Sequence, residues 1–376
     1  MKPLYFDYNA THPPIVEILE RNLLAYAANP SNASGISGLS QKNQGRIEGA
    51  RAKIATTLSS TSSNPIKPRS LHFVSTGTEG IYQMIRSFAV PGASVLLSPY
   101  EHDAMIAACE DANCQIEYLR AEPNGSVDPT DLAERLATGV DFAFVSVLAV
   151  SNETGVIQDS AELSRIARNA GIPYLSDCVQ AAGKIQLDYS LFDGFVINGH
   201  KFGAGFGAAV LALKEKPAIP VFRGGLQEDE RRAGTENLPA ILNTADALHM
   251  QSEELLSKNK RLSEFQTRME EEISKRVPVI IVSKDSVRSP NTSYLLFPEQ
   301  ENMDFLFMGL DQRHIVVSTG SSCKSRTRQP SRLLMAMGYS KELAMQAIRI
   351  STGLFTTAEE VDLFLKGFLA SYEASV

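Results

Sequence analysis

The chain has 376 residues, 43% of them hydrophobic and 21% charged, with a net charge of −7. That length calls for two units, or for one large α/β unit with an appendage, and the acidic balance gives no support to nucleic-acid binding. No apolar run is long enough for a membrane span, the opening MKPLYFDYNATHPP lacks a secretory pattern, and four cysteines without metal-ligand spacing point to a reduced, cytoplasmic compartment.

Along the chain, seven short apolar runs read as strands: LHFVS (71–75), ASVLLSP (93–99), QIEYLRA (115–121), DFAFVSVLA (141–149), PYLSD (173–177), GFVING (194–199) and AAVLALK (208–214). Their continuous apolar character predicts burial on both faces, as in a parallel or mixed sheet covered by helices. Amphipathic stretches such as TEGIYQMIRSFA, EHDAMIAACEDA, DPTDLAERLA and SAELSRIARNAG lie between them. This alternation predicts a large doubly wound α/β domain over 14–250. The Ser-rich stretch 58–66 reads as a loop. A long helical pattern covers 238–276, after which VPVIIVS, TSYLLFP, HIVVSTG and AIRIST alternate with helices. The expectation is a smaller α+β domain over 251–376, joined by residues 1–13.

Ligands of open α/β sheets bind at the carboxyl ends of strands. After LHFVS comes Thr76-Gly77-Thr78-Glu79-Gly80, opening a helix. Free amides there suit a phosphate; a plain helix cap by Thr78 is the competing reading. Asp177 ends another strand, where a buried carboxylate requires a cation such as a protonated pyridine nitrogen, or else caps the next turn. Asn198-Gly199-His200-Lys201 ends the next one. Lys201 is either a Schiff-base amine, activated by desolvation and cationic neighbours, or a surface lysine. The glycines at 203, 205 and 207 lead into a strand, which excludes a dinucleotide fingerprint. Cys323 stands in a polar stretch with Lys324, Arg326 and Arg328 within five residues and no nearby acid. Such a field favours the thiolate. Cys109 and Cys114, in or beside a helical pattern, read as structural, and Cys178 is given no chemistry.

In this order the segments resemble the class V aminotransferase family, and within it the NifS/IscS-type cysteine desulfurases. The resemblance runs over about 4–366 and rests on FDYNAT (6–11), NPSNASGISG (29–38), GTEG (77–80), EHDA (101–104), SNETGVIQD (151–159), SDCVQAAGK (176–184), NGHK (198–201), RRAGTEN (231–237), STGSSCKS (318–325) and IRISTGLFTT (348–357). It implies a fold type I enzyme dependent on pyridoxal 5′-phosphate that converts L-cysteine to L-alanine and carries the sulfur as a persulfide on Cys323. It further implies that Lys201 holds the cofactor, Asp177 partners the pyridinium nitrogen, and Gln180 bonds the ring hydroxyl oxygen. By the same resemblance His102 stacks on the ring and moves protons. Gly77, Thr78, Asn198 and His200 fall at the phosphate, and Thr235 reaches it from the other subunit of a homodimer. Asn152 and Arg349 match the groups that hold the substrate carboxylate; a planar guanidinium suits that role, while a snorkelling arginine on a strand edge is the competing reading for Arg349.

The sequence departs from the family at Gly35, at Ile81-Tyr82, at Asn198, at Asp229 and at Leu354, and the stretch 224–230 lacks one of the family's glycines and an arginine. A selenocysteine lyase, a carbon–sulfur lyase, an aminotransferase and a non-catalytic binding protein on the same scaffold are the alternatives; the intact set of Lys201, Asp177, His102, Arg349 and Cys323 argues against the last. Lys324, Arg326, Arg328 and Arg332 form a basic segment on an acidic protein. It either steers an acidic sulfur-acceptor or scaffold protein, or only solvates its loop and ionises the thiol.

Overall fold

Seven of the apolar runs fold into a single sheet in the computed structural model, which describes residues 3–300, 303–319 and 329–375. A short β1 (Leu4–Tyr5) precedes them. The sheet strands are β2 (Leu71–Val74), β3 (Ser94–Leu97), β4 (Gln115–Tyr118), β5 (Phe142–Ser146), β6 (Tyr174–Asp177), β7 (Gly194–Asn198) and β8 (Ala209–Leu213). Their spatial order is β2-β8-β7-β6-β5-β3-β4. Pairing is parallel from β4 through β7, and β8 runs antiparallel to both of its neighbours, β7 and β2.

Successive side chains of a strand point to opposite faces, and both faces are covered. On β7, Phe195 and Ile197 enter one apolar cluster and Val196 the other; on β8, Val210 and Ala212 oppose Ala209, Leu211 and Leu213. This two-sided burial is why the strands read as unbroken apolar runs. The outermost strand β4 differs: Gln115 and Tyr118 are exposed, because an edge strand has a neighbour on one side only.

The helices are α1 (Val16–Ala27), α2 (Gly38–Ser59), α3 (Gly77–Phe88), α4 (Asp103–Asp111), α5 (Pro129–Leu136) and α6 (Ser160–Asn169), followed by α7 (Leu238–Glu253) and α8 (Leu255–Ser274). Helix α2 takes in the first two residues of the stretch expected to be a loop from 58. The helical pattern over 238–276 is broken at Glu254, which ends α7 and precedes α8. α7 packs on α1 and α2, whereas α8 sends Leu262, Phe265, Met269 and Ile273 into a separate cluster.

That cluster is completed by the C-terminal part of the chain. There β9 (Ile280–Ile281), β10 (Thr292–Leu296) and β12 (Ala347–Ser351) form an antiparallel sheet in the order β12-β10-β9. β11 (Ile315–Val316) pairs in parallel with β1, bringing the first residues of the chain to this region. Helices α9 (Met303–Gln312), α10 (Arg332–Ala336), α11 (Lys341–Met345) and α12 (Ala358–Glu373) complete the order. Among the described residues, no helix is long and apolar enough to cross a membrane.

Candidate active site

Parallel strands direct their carboxyl ends to one edge of the sheet, and a cleft of about 480 Å³ opens there. It is lined by Gly77, Thr78, His102, Asn152, Asp177, Gln180, Asn198, His200, Lys201 and Arg349. Ten residues drawn from six separate segments thus meet in one place. Thr235 does not line it; it is exposed, in the loop before α7. Cys323, together with Lys324, Arg326 and Arg328, lies outside the described residues.

Lys201 closes a single 3₁₀ turn, Gly199–Lys201, at the end of β7. A side chain at Gly199 would come within 2.6 Å of Thr244 Oγ1 and 3.1 Å of the Ala208 carbonyl, so this tight turn requires glycine. The Lys201 Nζ donates to the carbonyls of Asn9 (2.8 Å) and Ala10 (2.9 Å). Next to it, His200 shares a hydrogen bond of 3.1 Å between Nδ1 and Thr11 Oγ1, and stacks on Phe206. Burial, then the charges of Lys201 and Lys184, lower its imidazole to about 4, so the ring is neutral at physiological pH.

Asp177 is the last residue of β6 and is buried. Its Oδ1 accepts the Val179 N–H at 2.8 Å, so the turn-capping reading holds for one oxygen. No cation pairs with it among the described residues. Burial raises the carboxyl above its ordinary value, against the opposing pull of His102, the Val179 amide and Lys201. Gln180, three residues on, donates from Nε2 to the Asn9 carbonyl at 2.9 Å and accepts from Lys184 Nζ at 2.5 Å.

At the other side of the cleft, α3 begins. Its cap is Thr76, whose hydroxyl accepts the Glu79 N–H at 3.1 Å, and not Thr78. The amides of Gly77 and Thr78 have no acceptor among the described residues. Free first-turn amides and the helix dipole favour an anion. Gly77 also lets Asn198 approach: a Cβ there would lie 3.1 Å from Asn198 Nδ2. His102 caps α4, with Nδ1 accepting the Ala104 N–H at 3.1 Å. An accepting Nδ1 leaves the proton of the neutral ring on Nε2.

Arg349 lies on β12 and is buried, so it is no snorkelling edge residue. Its Nη1 donates to the Asn152 carbonyl (2.7 Å) and its Nη2 to Asp7 Oδ1 (2.7 Å), while Nε is buried without a partner among the described residues. Arg332, at the start of α10, turns back onto the chain: it donates to the Glu101 carbonyl and lies 3.7 Å from Asp103 Oδ1. Its side chain is nevertheless exposed, so these contacts anchor it at the surface.

Sequence reasoning missed Asn9, Ala10, Glu153 and Ser318, which also line the cleft, and Lys184 behind it. Asn9 is the hub: its side chain bonds Thr292 Oγ1 (2.8 Å), Asn291 Nδ2 (3.0 Å) and Lys184 Nζ (3.0 Å), and its carbonyl serves Gln180 and Lys201. The signal was present in FDYNAT, a polar cluster without strand or helix periodicity.

The family model for class-V aminotransferases matches residues 4–364. The chain is 32% identical to the cysteine desulfurase IscS of Dictyoglomus turgidum, over 97% of this chain and 93% of that one. It is 30% identical to the IscS of Methanosarcina thermophila, over 97% and 91%. A NifS-like protein from Rickettsia africae superposes with a TM-score of 0.87 at 29% identity, covering 99% of both chains. The fold of these NifS-like enzymes is thus the fold of this protein, and the chain belongs to the class-V aminotransferase family, among its cysteine desulfurases of the NifS/IscS type.

Proposed function

We propose that the protein is a pyridoxal 5′-phosphate-dependent cysteine desulfurase that converts L-cysteine to L-alanine and receives the sulfur as a persulfide on Cys323. The observation that carries this reading is Asp177, a buried carboxylate at a strand end with no cation paired to it among the described residues, in the same cleft as the Lys201 amine. The site fits the cofactor at each of its functional groups. The amides of Gly77 and Thr78, with Asn198 and His200, suit the phosphate; Gln180 offers a donor for the ring oxygen; among the described residues Asp177 lacks a cation, which a protonated ring nitrogen would supply. Bound there, pyridoxal phosphate would act as an electron sink for the substrate's α-carbon.

The chain's own groups then have separate tasks. Lys201 holds the cofactor and removes the α-proton of the substrate. Arg349, whose Nε lacks a partner among the described residues, and Asn152 hold the substrate carboxylate. His102 moves protons through Nε2, the nitrogen left free by its cap. The Cys323 thiolate attacks the substrate sulfur: an S–S bond forms, the Cβ–S bond breaks with its electron pair going to carbon, and a proton completes the methyl group of alanine. Thr235, exposed in one protomer, completes the phosphate site of a second in a homodimer, and the persulfide passes to an acidic acceptor protein.

The test is to reconstitute the purified protein with pyridoxal phosphate, supply L-cysteine and a small reductant, and quantify alanine and sulfide. Cys323→Ala is expected to bind cysteine yet form little alanine. Undiminished alanine from that variant would assign the protein to other class-V chemistry, and turnover of selenocysteine alone would make it a lyase. Sedimentation of a fully active monomer would remove the shared site.

A further inference from the structure

Lys184 is a buried amine with no acidic partner among the described residues. Such a group destabilises a fold unless something offsets it. The backbone turn from Cys178 to Ile185 brings it back beneath Gln180, and its Nζ donates to Gln180 Oε1 (2.5 Å) and Asn9 Oδ1 (3.0 Å). Burial first, then Lys201, Arg349 and Lys258, hold its amine well below the ordinary lysine value. Asp7 alone pulls the other way. Both recorded partners are oxygens, so Lys184 acts as a donor in either state of charge.

A donor on one side of an amide decides which way the amide faces. With Lys184 at Oε1, the Gln180 NH₂ turns to the Asn9 carbonyl (2.9 Å), and its second hydrogen is left for the cleft that Gln180 lines. The same carbonyl receives Lys201 Nζ at 2.8 Å. Without Lys184 the Gln180 oxygen would be a buried acceptor lacking a donor, and the Lys201 amine, bound to the same carbonyl, is the donor it would turn to. We propose that Lys184 is a positioning residue: it holds the Gln180 oxygen away from Lys201, so that the cleft receives a Gln180 N–H. This inference rests on the reading that the cleft binds pyridoxal phosphate.

The test compares Lys184→Met, Gln180→Leu and the double variant with the wild type, measuring cofactor affinity by titration, the position of the visible absorption band of the bound cofactor, and the melting temperature of the cofactor-free protein. Loss of one buried hydrogen bond at the cofactor corresponds to roughly tenfold weaker binding. Lys184→Met is expected to show that loss with a displaced band, while the cofactor-free melting temperature stays close to that of the wild type. The double variant is expected to bind no more weakly than Gln180→Leu, because Lys184 acts through Gln180. Unchanged affinity and band in Lys184→Met, or additive losses in the double variant, overturns the inference, as does a large drop in melting temperature without a change in affinity. Should the Met variant fail to fold, Lys184→Gln, which does not fix the amide either, is expected to give the same affinity loss. Wild-type protein that takes up no cofactor overturns the proposed function and this inference together, whereas normal uptake by wild type and Lys184→Met alike overturns the inference alone.

Discussion

Arg51 on α2 and Glu228 in the loop before α7 are as buried as Asp177 and Lys184 at the cleft, but the two regions treat charge in opposite ways. Arg51 and Glu228 form a bidentate pair, with both contacts at 2.8 Å. Arg51 also donates to the Leu71 carbonyl (2.7 Å), and Glu228 accepts the Phe73 amide (2.9 Å). Each group there is satisfied, and the result ties α2 and the loop to strand β2. At the cleft, among the described residues, Asp177 has one amide and no cation, Lys184 has two neutral oxygens and no acid, and Arg349 Nε has no partner. Completed buried charge serves structure here; incomplete buried charge marks where a ligand's own charges complete the set.

The largest expected effect comes from breaking the completed pair. Glu228→Ala leaves the buried Arg51 with only the exposed Glu48 carboxylate as counter-charge and should lower stability by up to about 3–5 kcal/mol, read as a fall in the denaturant midpoint. Asp177→Asn is the converse. The cofactor-free protein should be as stable as wild type or more so at neutral pH, since a carboxylate that burial disfavours has been removed, while cofactor affinity falls by tenfold or more. A loss of stability resembling that of Glu228→Ala would erase the distinction between the two regions.

A pH experiment sharpens the cleft side. Burial, and then the neighbouring Asp177 carboxylate, push Glu101 from its ordinary 4.5 up to about 8. The folded protein therefore retains a proton that the unfolded chain releases above about 4.5. The stability due to this group is present at acid pH and is lost as pH rises from about 4.5 to about 8. Glu101→Gln should remove that part of the slope in cofactor-free protein, seen by denaturant titration at several pH values; an unaltered slope would mean that Glu101 does not hold the proton.

The smallest effect belongs to the loop that Glu228 anchors. Glu228, Asp229 and Glu230 have φ values of 50°, 55° and 66°, the left-handed region, and Glu230 is exposed. Glu230→Gly should raise the melting midpoint slightly, by about 1 kcal/mol or less in stability, without changing cofactor affinity.

These contrasts also show what could be seen in the sequence. The seven sheet strands were legible because two-sided burial leaves unbroken apolar runs, and Asp177, Lys201 and the Gly77 turn were legible because each stands where such a run ends. Helix α2 was not: it buries Ser40, Asn43, Arg51 and Thr57, polar residues that blur its periodicity, and Arg51 meets its partner Glu228 177 residues away. Asn9 and Lys184 escaped for the same reason. Asn9 lies 282 residues from Asn291, which it meets in space, and a lysine beside a glycine turn gives no sign in sequence that it is buried. Thr78 was read as a cap because hydroxyls two residues apart are interchangeable until the helix start is known; Thr76 takes that place.

The most direct test of the account asks which amine carries the cofactor. Lys201, Lys184 and Lys258 lie around one small cavity behind the cleft, and burial lowers both Lys184 and Lys258, the latter to about 8, so pKa alone does not select among them. Geometry does, because Lys201 alone of the three lines the cleft. Borohydride reduction of the reconstituted protein, followed by peptide mass mapping, should place a single phosphopyridoxyl label on Lys201. A label on Lys184 or Lys258, or no stoichiometric label on any lysine, would contradict it.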